Sequence, residues 1–153
     1  MAKTILLFGL IFVVIFICYH LFLNNPPPIT RDVLINNQKY NLELASTIPQ
    51  KTKGLMDRTS LCPNCGMIFT SNFEMPQAFW MKNTKIPLDI IFLDKNGTVI
   101  NIEVATPQPD TPDSQLKLYR SLKPAQFVIE LNAGDSSRLL LVPGDKIDLS
   151  PFQ

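Results

Sequence analysis

Histidine is what this chain most lacks: its one copy is His20, so residues 21–153 contain none. That excludes Ser-His and Cys-His catalysis from everything beyond the first twenty residues, and it removes a principal zinc ligand. Cysteine is scarce too, limited to Cys18, Cys62 and Cys65, which cannot build a disulfide-rich scaffold. An excess of charge of one sign is also missing. Only Lys3 lies ahead of residue 24, and residues 24–153 carry 13 basic and 13 acidic side chains. No basic stripe for nucleic acid and no polybasic patch for anionic lipid is present. The chain shows no internal repeat and no strand–helix–strand rhythm of the kind that builds parallel sheets.

What the chain does have is an apolar run, "ILLFGLIFVVIFICYHLFL", from Ile5 to Leu23. As a helix these residues reach about 28 Å, close to the hydrocarbon thickness of a bilayer. A helix buried in a soluble domain is rarely apolar on every side at such length. A cleaved secretory signal is the alternative, but the run exceeds the usual apolar region and no Ala-x-Ala follows it. Cys18 follows Ile17, a bulky residue where lipoprotein processing requires a small one. The expectation is a single-pass membrane protein. Residues 1–3 form a cytoplasmic amino terminus, 4–23 a transmembrane signal-anchor, and the remainder lies on the extracytoplasmic, periplasm-like side. Orientation follows from Lys3 preceding the span while Arg31 is the first positive charge after it.

Residues 24–30 read as a proline-rich stalk, "NNPPPIT", extended because consecutive prolines lack backbone donors. The folded domain is expected over 31–150. "VLINNQKYNLEL" reads as a hairpin turning at Asn36-Asn37. Thr47 and Gln50 have capping-box spacing for a helix carrying Ile48, Thr52, Leu55, Met56 and Thr59 on one side, with Gly54 inside it. "GMIF" is a short strand, and "LDIIFLDKNGTVINIEV" is a hairpin around Asn96-Gly97. One helical turn is expected at Leu116–Leu122, a strand in "AQFVIELNAG", a short helix from Gly134 to Leu139, and a turn and strand in "VPGDKIDL". Short strands and short helices together predict an N-terminal transmembrane helix followed by a compact mainly-β, barrel-like α+β domain.

Cys62-Pro63-Asn64-Cys65 is the sharpest local feature. Outside the cytoplasm such a pair forms a structural bridge or exchanges disulfides; metal binding and free thiols are the other readings. The pair follows a helix and precedes a strand, the wrong context for a thioredoxin-like site. The sequence shows no zinc motif, and Met56, Met67, Met75 and Met81 suit core filling better than Cu(I). No metal and no cofactor is therefore expected. Asp89, Glu103, Glu130 and Asp145 could supply acid–base carboxylates, but their spacing pairs none of them. Asp89, beside apolar residues, needs donors from Lys82, Asn83, Thr84 or nearby amides. Glu130 is a buried-charge candidate on the inward side with Val128, and Arg58 or Lys82 is its expected partner.

At "KGLMDRTSL", "GMIF", "FWMKNTKIPLDIIFLD" and "FVIELNAG" the sequence resembles the DUF192 family, also catalogued as UPF0127. The likeness runs from about Asn36 to Leu149. Lys53–Met56 match its Arg/Lys-Gly-Leu-Met segment, Gly66–Phe69 its Gly-Met-Leu-Phe-like strand and Trp80–Thr84 its Trp-Met-Lys-Asn-Thr motif, followed by Pro87, Leu88 and Asp89. Glu130–Gly134 and the Gly144-Asp145 turn match later segments. The resemblance implies a small β-rich, barrel-like domain, often exported or membrane-tethered, and it implies no activity. It also implies a shared surface, giving as ligand-binding candidates Met56, Arg58, Met67, Trp80, Met81, Lys82, Asn83, Thr84 and Asp89. The Cys-Pro-Asn-Cys pair departs from the family pattern.

The expected function is a membrane-tethered module binding a small ligand or a membrane-proximal protein partner, with no nucleic acid. A thiol-redox or carboxylate-dependent enzyme and a structural subunit of a membrane assembly are the alternatives.

Overall fold

The computed structural model describes residues 13–16 and 27–152. Of the expected anchor over 4–23, only residues 13–16 fall within that range, and they are helical and exposed; the rest of it lies outside the described residues. Among the described residues no helix is long and apolar enough to cross a membrane.

The first hairpin forms where expected. Strands β1 (Thr30–Ile35) and β2 (Gln38–Ala45) pair antiparallel. Asn36 and Asn37 between them have φ of +44° and +65°, the left-handed pair that a two-residue turn demands and asparagine tolerates. Helix α1 (Ile48–Lys53) then starts on a full capping box between Thr47 and Gln50. It ends earlier than its side-chain pattern suggests. Gly54 sits at the C-cap with φ +47° and Asp57 at +65°, conformations that turn the chain out of the helix. The helix consequently buries none of its residues, and Ile48 is exposed.

Strand β3 (Cys65–Met75) runs parallel to β2 and antiparallel to β8 (Ala125–Asn132). On its other side β8 pairs with β5 (Leu88–Leu93), which pairs with β6 (Val99–Ala105) around a turn at Gly97. The six-stranded sheet has the order β1-β2-β3-β8-β5-β6. This corrects the barrel expectation. Closure requires β1 to hydrogen-bond with β6, and here the two are opposite edges of an open sheet. The domain is mainly β with a few short helices. A two-stranded ribbon, β4 (Ala78–Phe79) with β7 (Tyr119–Arg120), lies apart from the sheet. It occupies part of the 116–122 segment expected to be helical; a 3-10 turn at Asp113–Gln115 lies just ahead of that segment. The expected C-terminal strand reduces to a single bridge between Lys146 and Thr98. The last helix, α2 (Asp135–Arg138), forms after Gly134.

Alternation along the strands divides the interior in two. Phe127, Ile129 and Leu131 of β8 join Ile68, Ile91 and Leu93 in a core that also holds Val33, Tyr40, Leu42, Leu139, Leu141, Ile147 and Leu149. Val128 joins Met67, Phe69, Leu88, Ile90 and Phe92 in a second core with Leu55, Met81, Ile86 and Tyr119. Glu130 lies two residues beyond Val128 on β8, opposite Met67 of β3 and Ile90 of β5. A carboxyl group is thereby placed on an otherwise apolar side of the sheet.

Candidate functional site: a cavity over the second core

Above that carboxyl the second core opens into a cavity of about 260 Å³. Phe69 and Ser71 of β3 and Val128 and Glu130 of β8 line it from the sheet. The end of α1 and its following turn, Lys51 to Met56, line it on one side, and Gln77 to Trp80 with Thr84 on another. Two loops distant in sequence meet here. The amide of Asp57 donates to the carbonyl of Asn83 at 2.9 Å, and that of Thr84 to Met81 at 3.0 Å. Gly54 allows the chain to pass over Phe69; an added Cβ would stand 3.5 Å from Cζ of that ring.

Glu130 is 4% exposed. Burial pushes its pKa up to about 8, and no hydrogen bond or opposite charge offsets this. Its expected partners are engaged elsewhere. Arg58 grips Glu43 through two parallel hydrogen bonds of 2.5 and 2.7 Å, and Glu43 raises the guanidinium's pKa. The Lys82 ammonium lies 2.7 Å from Asp113 and 5.7 Å from the centre of the Trp80 ring. Desolvation without compensation is the reason Glu130 favours its neutral form.

The sequence-predicted residues thus separate. Met56, Trp80 and Thr84 line the cavity together with Glu130. Met67 and Met81 are buried in the second core. Asn83 is an exposed turn residue with φ +52°. Asp89 is fully buried, and Oδ2 accepts from the Gly134 amide at 3.0 Å, the Ser136 amide at 2.8 Å and the Ser136 hydroxyl at 2.5 Å. It fastens the start of α2 to β5 and does not line the cavity. Its donors come from the family's Glu-Leu-x-Ala-Gly segment and its neighbour, not from Lys82–Thr84. Cys62 and Cys65 are joined in a disulfide, and the Asn132 amide donates to the Cys62 carbonyl at 3.2 Å.

Phe69, Ser71, Gln77 and Phe79 were not anticipated. Phe69 and Ser71 were findable, because they follow Met67 at period two on a strand that pairs with β8. Phe79 comes from the separate ribbon and Gln77 immediately precedes it, and neither carried such a signal. Among the described residues no three His, Cys, Asp or Glu side chains converge to hold a metal ion.

The DUF192 family profile, described as an uncharacterized ACR, matches residues 31–149. A crystal structure from Sinorhizobium meliloti 1021, of a protein described as a "putative transcription regulator", is 32% identical. The match covers 81% of this chain and 96% of that one, with a TM-score of 0.71. A protein of unknown function from Novosphingobium aromaticivorans DSM 12444 is 37% identical over 79% of this chain and 84% of its own, with a TM-score of 0.66. No curated protein matches the chain.

Proposed function

This chain belongs to the DUF192 family, and from that premise we propose that it is a membrane-tethered, extracytoplasmic module that binds a small ligand in the cavity beside Trp80. One observation carries the binding proposal. The carboxyl of Glu130 is buried on the cavity's floor with no partner among the described residues. A buried polar group without a partner is costly, and a site that bears that cost is completed when an occupant supplies the missing contact. Aromatic and sulfur side chains interspersed with a few polar groups are typical of small-molecule sites. The volume is below the usual range for drug-sized ligands, which favours a small metabolite over a large one. The tether and its orientation rest on the apolar run from Ile5 to Leu23 and on Lys3.

Native mass spectrometry of the full-length protein released from its own membrane tests this reading. A small molecule retained by the wild type and lost from Trp80→Ala supports the site. Equal retention by the two proteins assigns the ligand elsewhere.

Acid–base catalysis is the second reading, favoured by a carboxyl that titrates near neutral pH inside a cavity. Among the described residues Glu130 is the only acid lining the cavity, with no second carboxylate or nucleophile–base pair beside it, so binding is the stronger proposal. Conversion of a bound compound that stops in Glu130→Gln while binding persists would reverse that order. Nucleic-acid binding, which the description of the Sinorhizobium protein evokes, is not proposed, because residues 24–153 have balanced charge.

A further inference from the structure

Among the described residues, no cavity-lining donor reaches the Glu130 carboxyl. The Thr84 hydroxyl donates to the Lys82 carbonyl at 3.2 Å. The Gln77 side-chain amide donates to Ser71 Oγ at 3.1 Å and to the Ala125 carbonyl at 3.4 Å. These donors are directed into the protein, and the Glu130 carboxyl has none. An occupant that brings its own N–H donors therefore gains most. The rings of Phe69 and Phe79, edge to face at 4.9 Å, and the half-exposed Trp80 line the same space, and aromatic faces attract cations. Lys51 and Lys53 also line it, with Lys53 paired to Asp57. Neither ammonium offsets the burial of Glu130, so the two disfavour a second positive charge on a ligand more than one seated on the carboxyl.

Resting on the cavity as the ligand site, we infer that its occupant is a compact monoamine, with the ammonium seated on the Glu130 carboxylate and the apolar body among Phe69, Phe79 and Trp80. Glu130 faces Met67 and Ile90 across the sheet, neither of which titrates, and the charged groups on the other walls are Lys51 and Lys53. Burial holds the carboxyl protonated up to about pH 8. Below that, seating an ammonium breaks the carboxyl O–H bond, the proton leaves to buffer, and a charge-assisted N–H···O contact replaces it. Affinity for a monoamine accordingly rises by about tenfold per pH unit up to about pH 7 and levels off through pH 8.

Calorimetric titration of the full-length protein at pH 8 with isopentylamine, isopentanol, isocaproate and cadaverine tests this. Isopentylamine should bind at least about tenfold more tightly than the other three, one pH-unit equivalent of interaction. Glu130→Gln should remove that preference and the pH dependence. Trp80→Ala, at a half-exposed position that leaves the core intact, should weaken the amine several-fold. The inference is overturned if isocaproate or isopentanol binds as tightly as the amine, if Glu130→Gln binds the amine unchanged, or if the amine does not bind. In the last case the cavity reading stands or falls separately. A native ligand lost from Trp80→Ala keeps it, and an empty wild-type protein removes it.

Discussion

Asp57 and Asn83 hold the cavity's two walls together through one backbone hydrogen bond, from the amide of the first to the carbonyl of the second at 2.9 Å. Both residues have left-handed backbones, φ +65° and +52°, which asparagine and aspartate adopt more easily than other side chains. The family-matched segments around them meet here because each can turn sharply at that point.

Asn83→Val forces a branched side chain into this conformation and should cost about 1–2 kcal/mol. Asn83→Gly should be close to neutral. Urea midpoints compare the three proteins directly. Equal loss in both variants would mean that the Asn83 side chain matters and its backbone conformation does not.

The Glu43–Arg58 pair spans β2 and the loop after α1, and both ends are partly shielded. Removing Arg58 leaves Glu43 desolvated without its fork. Arg58→Ala should therefore lose about 1–3 kcal/mol, between the values for exposed and fully buried pairs. Arg58→Lys should recover only part, since lysine cannot reproduce two parallel hydrogen bonds. A double-mutant cycle with Glu43→Gln measures the coupling, and a value near zero refutes the structural role.

Asp89→Ala deprives three donors from Gly134 and Ser136 of their acceptor. About 3 kcal/mol or more should be lost, with early amide exchange around α2. Asp89→Asn keeps an acceptor oxygen and should lose less. Ligand binding in the folded Asp89→Asn protein should be unchanged, because Asp89 does not line the cavity.

Glu130 sets a distinctive pH dependence. Its folded pKa of about 8 lies above the ordinary value of 4.5, so between these values the folded state holds a proton that the unfolded state has released. Stability should fall as pH rises from about 5 to 8, by a contribution on the order of 4 kcal/mol, with none of this effect below pH 4. Glu130→Gln should flatten the curve and be the more stable protein at pH 8. Parallel pH curves for the two proteins would show that Glu130 ionises normally.

Much of the fold was legible because its signals are local. Asn36-Asn37, the Thr47–Gln50 capping box, Asn96-Gly97 and the alternating strands each specify their element through nearby groups, and each appears as read. The end of α1 was misplaced because the amphipathic pattern continues past Gly54 while the backbone does not. Residues 119–120 became a strand through pairing with Ala78–Phe79, a partner that no local pattern names. Of the candidate site, Trp80, Met56, Thr84 and the burial of Glu130 were anticipated. Met81 and Asp89 went elsewhere because an apolar turn residue and an acid on a strand each have two faces to choose between.

By itself the sequence determined the family, the strand segments of the six-stranded sheet, the absence of histidine chemistry beyond residue 20 and the inward side of Glu130, since period-two alternation and motif order need no knowledge of distant contacts. The tertiary structure alone decided that the sheet stays open, that Arg58 and Lys82 pair with Glu43 and Asp113, and that Glu130 is left facing a cavity. Those outcomes depend on which strands become neighbours and which side chains come within reach of each other, and partner choice among several nearby charges is settled by three-dimensional geometry.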